Sequence, residues 1–240
     1  MSEKDNIPRC WEIANSVIGL SDRVLLYGVP GTGKSYQATL HNLGAGQSVY
    51  TTTLTEDSSA MELRGHYVPN SKNGMDWHHG TAVQSWVDGA RFVINEIDHA
   101  GGDVLTFLHS VLDDKEFAGM TLPNKKQEFV SPNENFNVVA TMNGTPDMLP
   151  IALRDRFPVA INIDSIHPDA LKQLPKKYRQ VASDMSTIGD TDRRTSIRKW
   201  NEFVMLSKEL GKEMAMEGVF GDKAEDIEDA LESAKLLGNE

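Results

Sequence analysis

The sequence predicts an α/β fold: a parallel five-stranded sheet flanked by helices, followed by a small all-helical domain. Three observations lead there. Short runs at 24–27, 48–53, 91–98, 137–142 and 159–163, apolar or rich in β-branched residues, have the length of strands in a parallel sheet. Segments with helical spacing lie between them, and strands alternating with helices imply a parallel sheet. After Pro168 the strand signal stops while helical patterning continues. These features place one domain at 1–165 and a second at 166–240.

In chain order, residues 9–19 carry helical apolar spacing and end at a glycine. The first strand follows at 24–27. Residues 48–53 (Ser-Val-Tyr-Thr-Thr-Thr) suit a second strand. Residues 56–63 can be helical. Asn73-Gly74, between the short apolar runs Tyr67-Val68 and Met75-Asp76-Trp77, signals a hairpin. Helical spacing resumes at 81–89, and 91–98 reads as a buried strand ending in acids. Val104, Leu105, Leu108 and Leu112 share one face of a helix over 103–112. Residues 114–136 form a polar excursion with a turn near Pro123-Asn124. Strands at 137–142 and 159–163 flank a short helix over 153–156. Helices are expected over 169–182, 192–211 and 222–238, the last two separated by Gly218-Val219-Phe220-Gly221.

The chain has 240 residues, a formal net charge of −11 and one cysteine. The acidic balance disfavours binding nucleic acid with the whole surface. A single Cys10 excludes an internal disulfide and fits a reducing compartment. No apolar run spans a bilayer, and the polar start Met1 to Asn6 lacks the apolar core of a signal peptide, so a cytoplasmic, membrane-free protein is expected. The run Glu225 to Asp229 reads as a solvated helix face. His66, His78, His79, His99 and His109 lack metal-ligand spacing and read as surface or packing residues. Tyr67 and Trp77 suit either a gripping loop or cross-strand packing.

The most specific stretch is Gly28-Val29-Pro30-Gly31-Thr32-Gly33-Lys34-Ser35, a full G-x-x-x-x-G-K-S motif between an apolar strand and a helix that opens at Tyr36. Glycines let successive backbone N–H groups turn inward around phosphate oxygens, and the helix N-terminus adds partial positive charge. Lys34 suits the β- and γ-phosphates and Ser35 suits Mg²⁺. Glu96, at the end of a buried strand, can orient or deprotonate a water. Asn143 ends another strand and can hydrogen-bond phosphate or that water. Arg154 and Arg156 suit the charge of a transferring phosphoryl group.

Taken together, these motifs resemble the AAA+ ATPases, and among them the MoxR-type enzymes of the helix-2-insert clade. The resemblance rests on 28–35, on Asn95-Glu96-Ile97-Asp98, on Val138 to Asn143 and on Leu149 to Phe157, and extends from about residue 20 to 235. Glu62 to Tyr67 resembles the entry to the insert hairpin, and 114–136 the hairpin before sensor 1. The resemblance implies an AAA+ core with a helical lid, with ATP and Mg²⁺ as cofactors. It makes Glu96 the Walker B glutamate, Asn143 sensor 1, Arg156 the arginine finger with Arg154 second, and Arg198, in Ser196-Ile197-Arg198, sensor 2, with Arg193 and Arg194 as competitors. One position departs. Asn95 stands where the family has an aspartate; as a Mg²⁺ site residue beside Ser35 it can still accept from a Mg²⁺-bound water, but it brings no charge, which implies weaker Mg²⁺ binding or slower turnover.

The resemblance further implies a homo-oligomer, a hexamer with ATP between subunits, acting on a separate client or adaptor protein, such as one with a von Willebrand A domain. Three rivals stand beside a protein-remodelling motor: a nucleic-acid-associated NTPase of the same clade preferring GTP, a small monomeric P-loop kinase, and a non-hydrolysing scaffold motivated by Asn95.

Overall fold

A computed structural model describes residues 7–188 and 194–236. The chain resolves into two compact units. One comprises 13–28 and 35–162; the other comprises the N-terminal residues through Glu12, the loop 29–34, and the chain from Ile163.

The first unit is built on a five-stranded sheet of order β2-β5-β8-β1-β9. Its strands are β1 (Arg23–Gly28), β2 (Val49–Thr53), β5 (Arg91–Asn95), β8 (Asn137–Thr141) and β9 (Val159–Ile163). β5 pairs in parallel with β2 on one side and β8 on the other, and β8 pairs in parallel with β1. All five side chains of β5 are buried, as a central strand covered on both faces requires. Helices α1 (Arg9–Val17), α2 (Lys34–Leu40), α3 (Ala60–Arg64), α4 (Thr81–Asp88), α5 (Gly102–Val111) and α6 (Ile151–Arg154) alternate with the strands. The core joins Leu25, Phe92, Ile94 and Val138 of the sheet to Trp86, Leu108 and Leu63 of the helices. Burying a side chain of that size contributes about 1.5–3 kcal/mol.

Arg91 opens β5 fully buried, with no carboxylate partner among the described residues. Nη1 donates to the carbonyls of Ala38 (3.2 Å) and His41 (2.5 Å), Nη2 to Asn42 (2.8 Å), and Nε to Asn137 Oδ1 (2.9 Å). Ala38, His41 and Asn42 lie in or just beyond the last turn of α2, so the guanidinium caps that helix where its dipole is negative. Burial lowers its pKa to about 10, which leaves it charged at neutral pH.

Two hairpins leave the sheet. In β3 (Gly65–Pro69) and β4 (Met75–His79), Tyr67 pairs with Trp77, their rings edge-to-face at 5.2 Å. Cross-strand packing is therefore what these two aromatics do within the unit. Asn70 Oδ1 accepts from the N–H groups of Lys72 and Gly74 and so shapes the turn. The second hairpin, β6 (Met120–Thr121) with β7 (Phe129–Val130), fills the polar excursion, and Lys125-Lys126 are exposed at its tip.

The second unit is helical, with α7 (Pro168–Gln173), α8 (Lys176–Thr187), α9 (Ile197–Leu210), α10 (Lys212–Phe220) and α11 (Ala224–Leu236). Its core gathers Tyr178, Trp200, Phe203 and Phe220, with ring centroids 5.1–6.1 Å apart. Trp200 Nε1 donates to Thr195 Oγ1 at 2.9 Å, which satisfies the indole in the buried core.

The five strands form where expected, except that the one expected over 91–98 ends at Asn95 and gives way to a 3-10 turn at Ile97–His99. The helices expected over 56–63 and 192–211 begin later, at Ala60 and Ile197, and three further helix expectations differ. The expected helix over 169–182 is two helices, because Leu174 precedes Pro175 and takes an extended backbone (ψ 148°). Residues 212–220 form a helix of their own, with Gly218 inside it rather than in a connection. The helix expected over 153–156 runs over 151–154, so Arg156 lies beyond it. Residues 192–193 and 237–238 of the expected helices lie outside the described residues.

Candidate nucleotide-binding site

Strand β1 delivers the chain into the glycine motif. Gly28, Gly31 and Gly33 all have positive φ (118°, 76° and 106°), the left-handed side of backbone space that glycine occupies without steric cost. Within the loop, the Val29 carbonyl accepts from both Thr32 Oγ1 (3.0 Å) and Lys34 Nζ (2.7 Å). Lys34 is 6% exposed. Within its own unit the loop packs against the start of the helical segment. The His167 N–H donates to the Thr32 carbonyl at 2.7 Å. A Cβ at residue 33 would stand 2.8 Å from His167 Cβ, and one at residue 31 would stand 2.7 Å from Ser196 Cβ. His167 is itself fixed. Its Nδ1 accepts from the Asp169 N–H, capping α7, and its ring meets Trp11 edge-on at 4.7 Å.

The positive-φ glycines, the lysine and the exposed Ser35 at the start of α2 form the donor set that a nucleoside triphosphate and its Mg²⁺ require, so the residues present fit both. Tyr36 is exposed beside them, its ring 6.0 Å from that of His41.

The tips of β5 and β8 carry the expected acid and amide. Asn95 closes β5, and its Oδ1 accepts from Thr141 Oγ1 at 3.0 Å. Glu96 follows with φ 54° and ψ 49°, a left-handed conformation that costs a residue with a side chain about 1–2 kcal/mol. Strain of this kind gathers at functional sites. The Asp98 side chain is 6% exposed; its Oδ2 lies 3.8 Å from His99 Nε2, and its Oδ1 is buried with no partner among the described residues. After β8, Gly144 forms an antiparallel bridge with Gly28. That bridge brings Asn143, one residue earlier, to the first glycine of the loop.

The two arginines differ. Arg154 Nη1 lies 2.5 Å from Asp147 Oδ1, a local surface ion pair. Arg156 makes a looser contact, 3.7 Å to Asp113, and its Nε is buried with no partner among the described residues. Arg198 is exposed in the first turn of α9, while Arg194 is half-buried and its Nε donates to the Ile188 carbonyl. Arg193 lies outside the described residues.

Motif reading did not single out Thr141 or His167. The loop's contact with His167 has no sequence signature. Thr141 is marked by nothing more than its place two residues before Asn143.

The family model of the AAA domain (dynein-related subfamily) matches residues 23–157. The chain belongs to this family, and the AAA+ resemblance of MoxR type holds. Among curated proteins it is similar to midasin of Dictyostelium discoideum, 26% identical over 167 residues, which is 68% of this chain and 3% of that protein. It is likewise 28% identical over 120 residues to midasin of Giardia intestinalis (50% of this chain, 2% of that protein). Protein NorQ of Paracoccus denitrificans is 28% identical over 149 residues, covering 60% of this chain and 53% of NorQ. The chain thus spans a small fraction of the midasins and about half of NorQ. Among the described residues no helix is long and apolar enough to cross a membrane.

Proposed function

We propose that this chain binds ATP with Mg²⁺, hydrolyses it as one subunit of a homo-oligomeric ring in the cytoplasm, and uses the cycle to remodel or activate a separate client protein. The observation that carries the reading is Glu96, held in a strained left-handed conformation at the tip of a central strand, in a sheet whose β1 runs into a complete phosphate-binding loop. Strain persists where the surroundings enforce it, and a carboxylate presented in this way suits a base.

In this reading Lys34 leaves the Val29 carbonyl for the β- and γ-phosphates. The loop N–H groups and the start of α2 hold the remaining phosphate oxygens. Ser35 holds Mg²⁺, which when bound neutralises charge on those oxygens. Glu96 accepts the proton of the attacking water, and Asn143 donates to the transferring phosphoryl group. Arg156 of a neighbouring copy meets the developing charge. Its loose 3.7 Å contact favours it over Arg154, which is already paired at 2.5 Å. Arg198 reaches phosphate from the helical unit. A ring of six and a client or adaptor bearing a von Willebrand A domain complete the proposal.

The test is Glu96→Gln, assayed for phosphate release and for binding of a fluorescent ATP analogue. Turnover falls by about 10²–10⁴-fold while analogue affinity is kept. Turnover equal to that of the wild type, or a wild type that neither binds nor hydrolyses ATP, overturns the reading.

A further inference from the structure

The tip of β5 is tied to the chain on both sides. On the β2 side the Asn95 carbonyl accepts from the Leu54 N–H at 2.9 Å. On the β8 side the Asn95 side chain accepts from the Thr141 hydroxyl at 3.0 Å. Asn95 is 8% exposed and Thr141 3%, so this side-chain bond lies out of water, where a hydrogen bond is stronger and its loss is costly. Immediately beyond it Glu96 turns left-handed, and its carbonyl accepts from the His99 N–H at 2.9 Å. A disfavoured conformation survives where the residues around it are pinned, and the Thr141 hydroxyl supplies one of those pins.

Thr141 also belongs to the strand that presents Asn143. Met142, between them, donates its N–H to the Leu26 carbonyl of β1. One hydroxyl therefore joins the strand of the glutamate to the strand of the sensor amide. The bond also orients the Asn95 amide, with one lone pair of its Oδ1 taken up by Thr141. The asparagine is thereby a strut between β5 and β8.

We propose that Thr141 is a positioning residue of the ATP site, acting through Asn95 to keep the Glu96 carboxylate in register with Asn143. This rests on the ATPase reading above. The other role open to such a hydroxyl is to satisfy a buried amide for stability alone, and the two roles separate in kinetics.

The experiment measures steady-state ATP turnover, affinity for a fluorescent ATP analogue and thermal unfolding for Thr141→Val, Thr141→Ser, Asn95→Ala and the Asn95→Ala/Thr141→Val double variant. Thr141→Val lowers kcat by about 10-fold, with KM and analogue affinity within about 2-fold of wild type, because the interaction lost orients the base rather than the nucleotide. Thr141→Ser, which keeps the hydroxyl, returns kcat to within about 2-fold of wild type. The double variant is no slower than the slower single one, as expected when both remove the same bond. If Thr141→Val does not fold, Thr141→Cys takes its place under the same criteria. A lower unfolding temperature with unchanged kcat, a rise in KM alone, or additive losses in the double variant overturns the proposal. A wild type without turnover overturns the ATPase reading and this proposal with it. An active wild type indifferent to Thr141 overturns this proposal alone.

Discussion

The tips of β1 and β5 flank β8 in one sheet, yet they are shaped by different means. The β1 tip is a backbone device. Three glycines at positive φ turn the loop, and a single carbonyl, that of Val29, gathers Thr32 and Lys34. The β5 tip is a side-chain device. Asn95 is held by Thr141 from a strand some 46 residues further along the chain, and that pin sits beside a glutamate in a conformation suited to glycine. A site made by backbone conformation needs particular residue types at fixed spacing, so it is written locally. A site made by cross-strand pairing needs a partner whose place in sequence is arbitrary.

Two substitutions sharpen this contrast, the larger effect first. Gly33→Ala strikes the backbone device. The new Cβ would stand 2.8 Å from His167 Cβ at a φ of 106°, and strain of this kind costs about 1–3 kcal/mol. Thermal unfolding should fall, and binding of an ATP analogue should be lost with it. If both survive, the glycine is not needed for the loop's shape.

Glu96→Gly strikes the side-chain device and should act in the opposite sense on stability. Relief of left-handed strain is worth about 1–2 kcal/mol, and the added freedom of glycine in the unfolded chain costs about 0.4–1 kcal/mol. The net is a stabilisation of up to about 1.6 kcal/mol, centred on about 0.8, seen as an unfolding temperature raised by about 2–3 °C, in a protein that binds ATP and no longer hydrolyses it. A lower unfolding temperature would show that Glu96 is there for the fold.

The same contrast explains what the sequence made legible. The sheet could be read because each strand is a short run, apolar or, in β2, β-branched, set off by helical segments. The glycine motif could be read because its chemistry dictates its spacing. The β3–β4 hairpin followed from Asn73-Gly74. The missed features depend on context. Pro175 was present in the sequence, but the helical spacing on either side of it masked the break between α7 and α8. Gly218 resembled a stop, yet tertiary packing of Ala215, Met216 and Phe220 holds it inside α10. The bond between Asn95 and Thr141 was not legible because a motif shows one strand at a time; it became visible only when β8 was laid beside β5. The resemblance put Arg156 before Arg154 as the finger, but the ion pair of Arg154 with Asp147 was not legible, since it depends on the turn that brings residue 147 back to it.

The central claim is that the ATP site is completed by a second copy of this chain. The most direct test is Mg-ATP turnover per subunit measured across a wide range of protein concentration. The account predicts that turnover per subunit rises steeply and then saturates as copies associate. Turnover that is real and stays constant down to high dilution would contradict it and point to a self-contained enzyme.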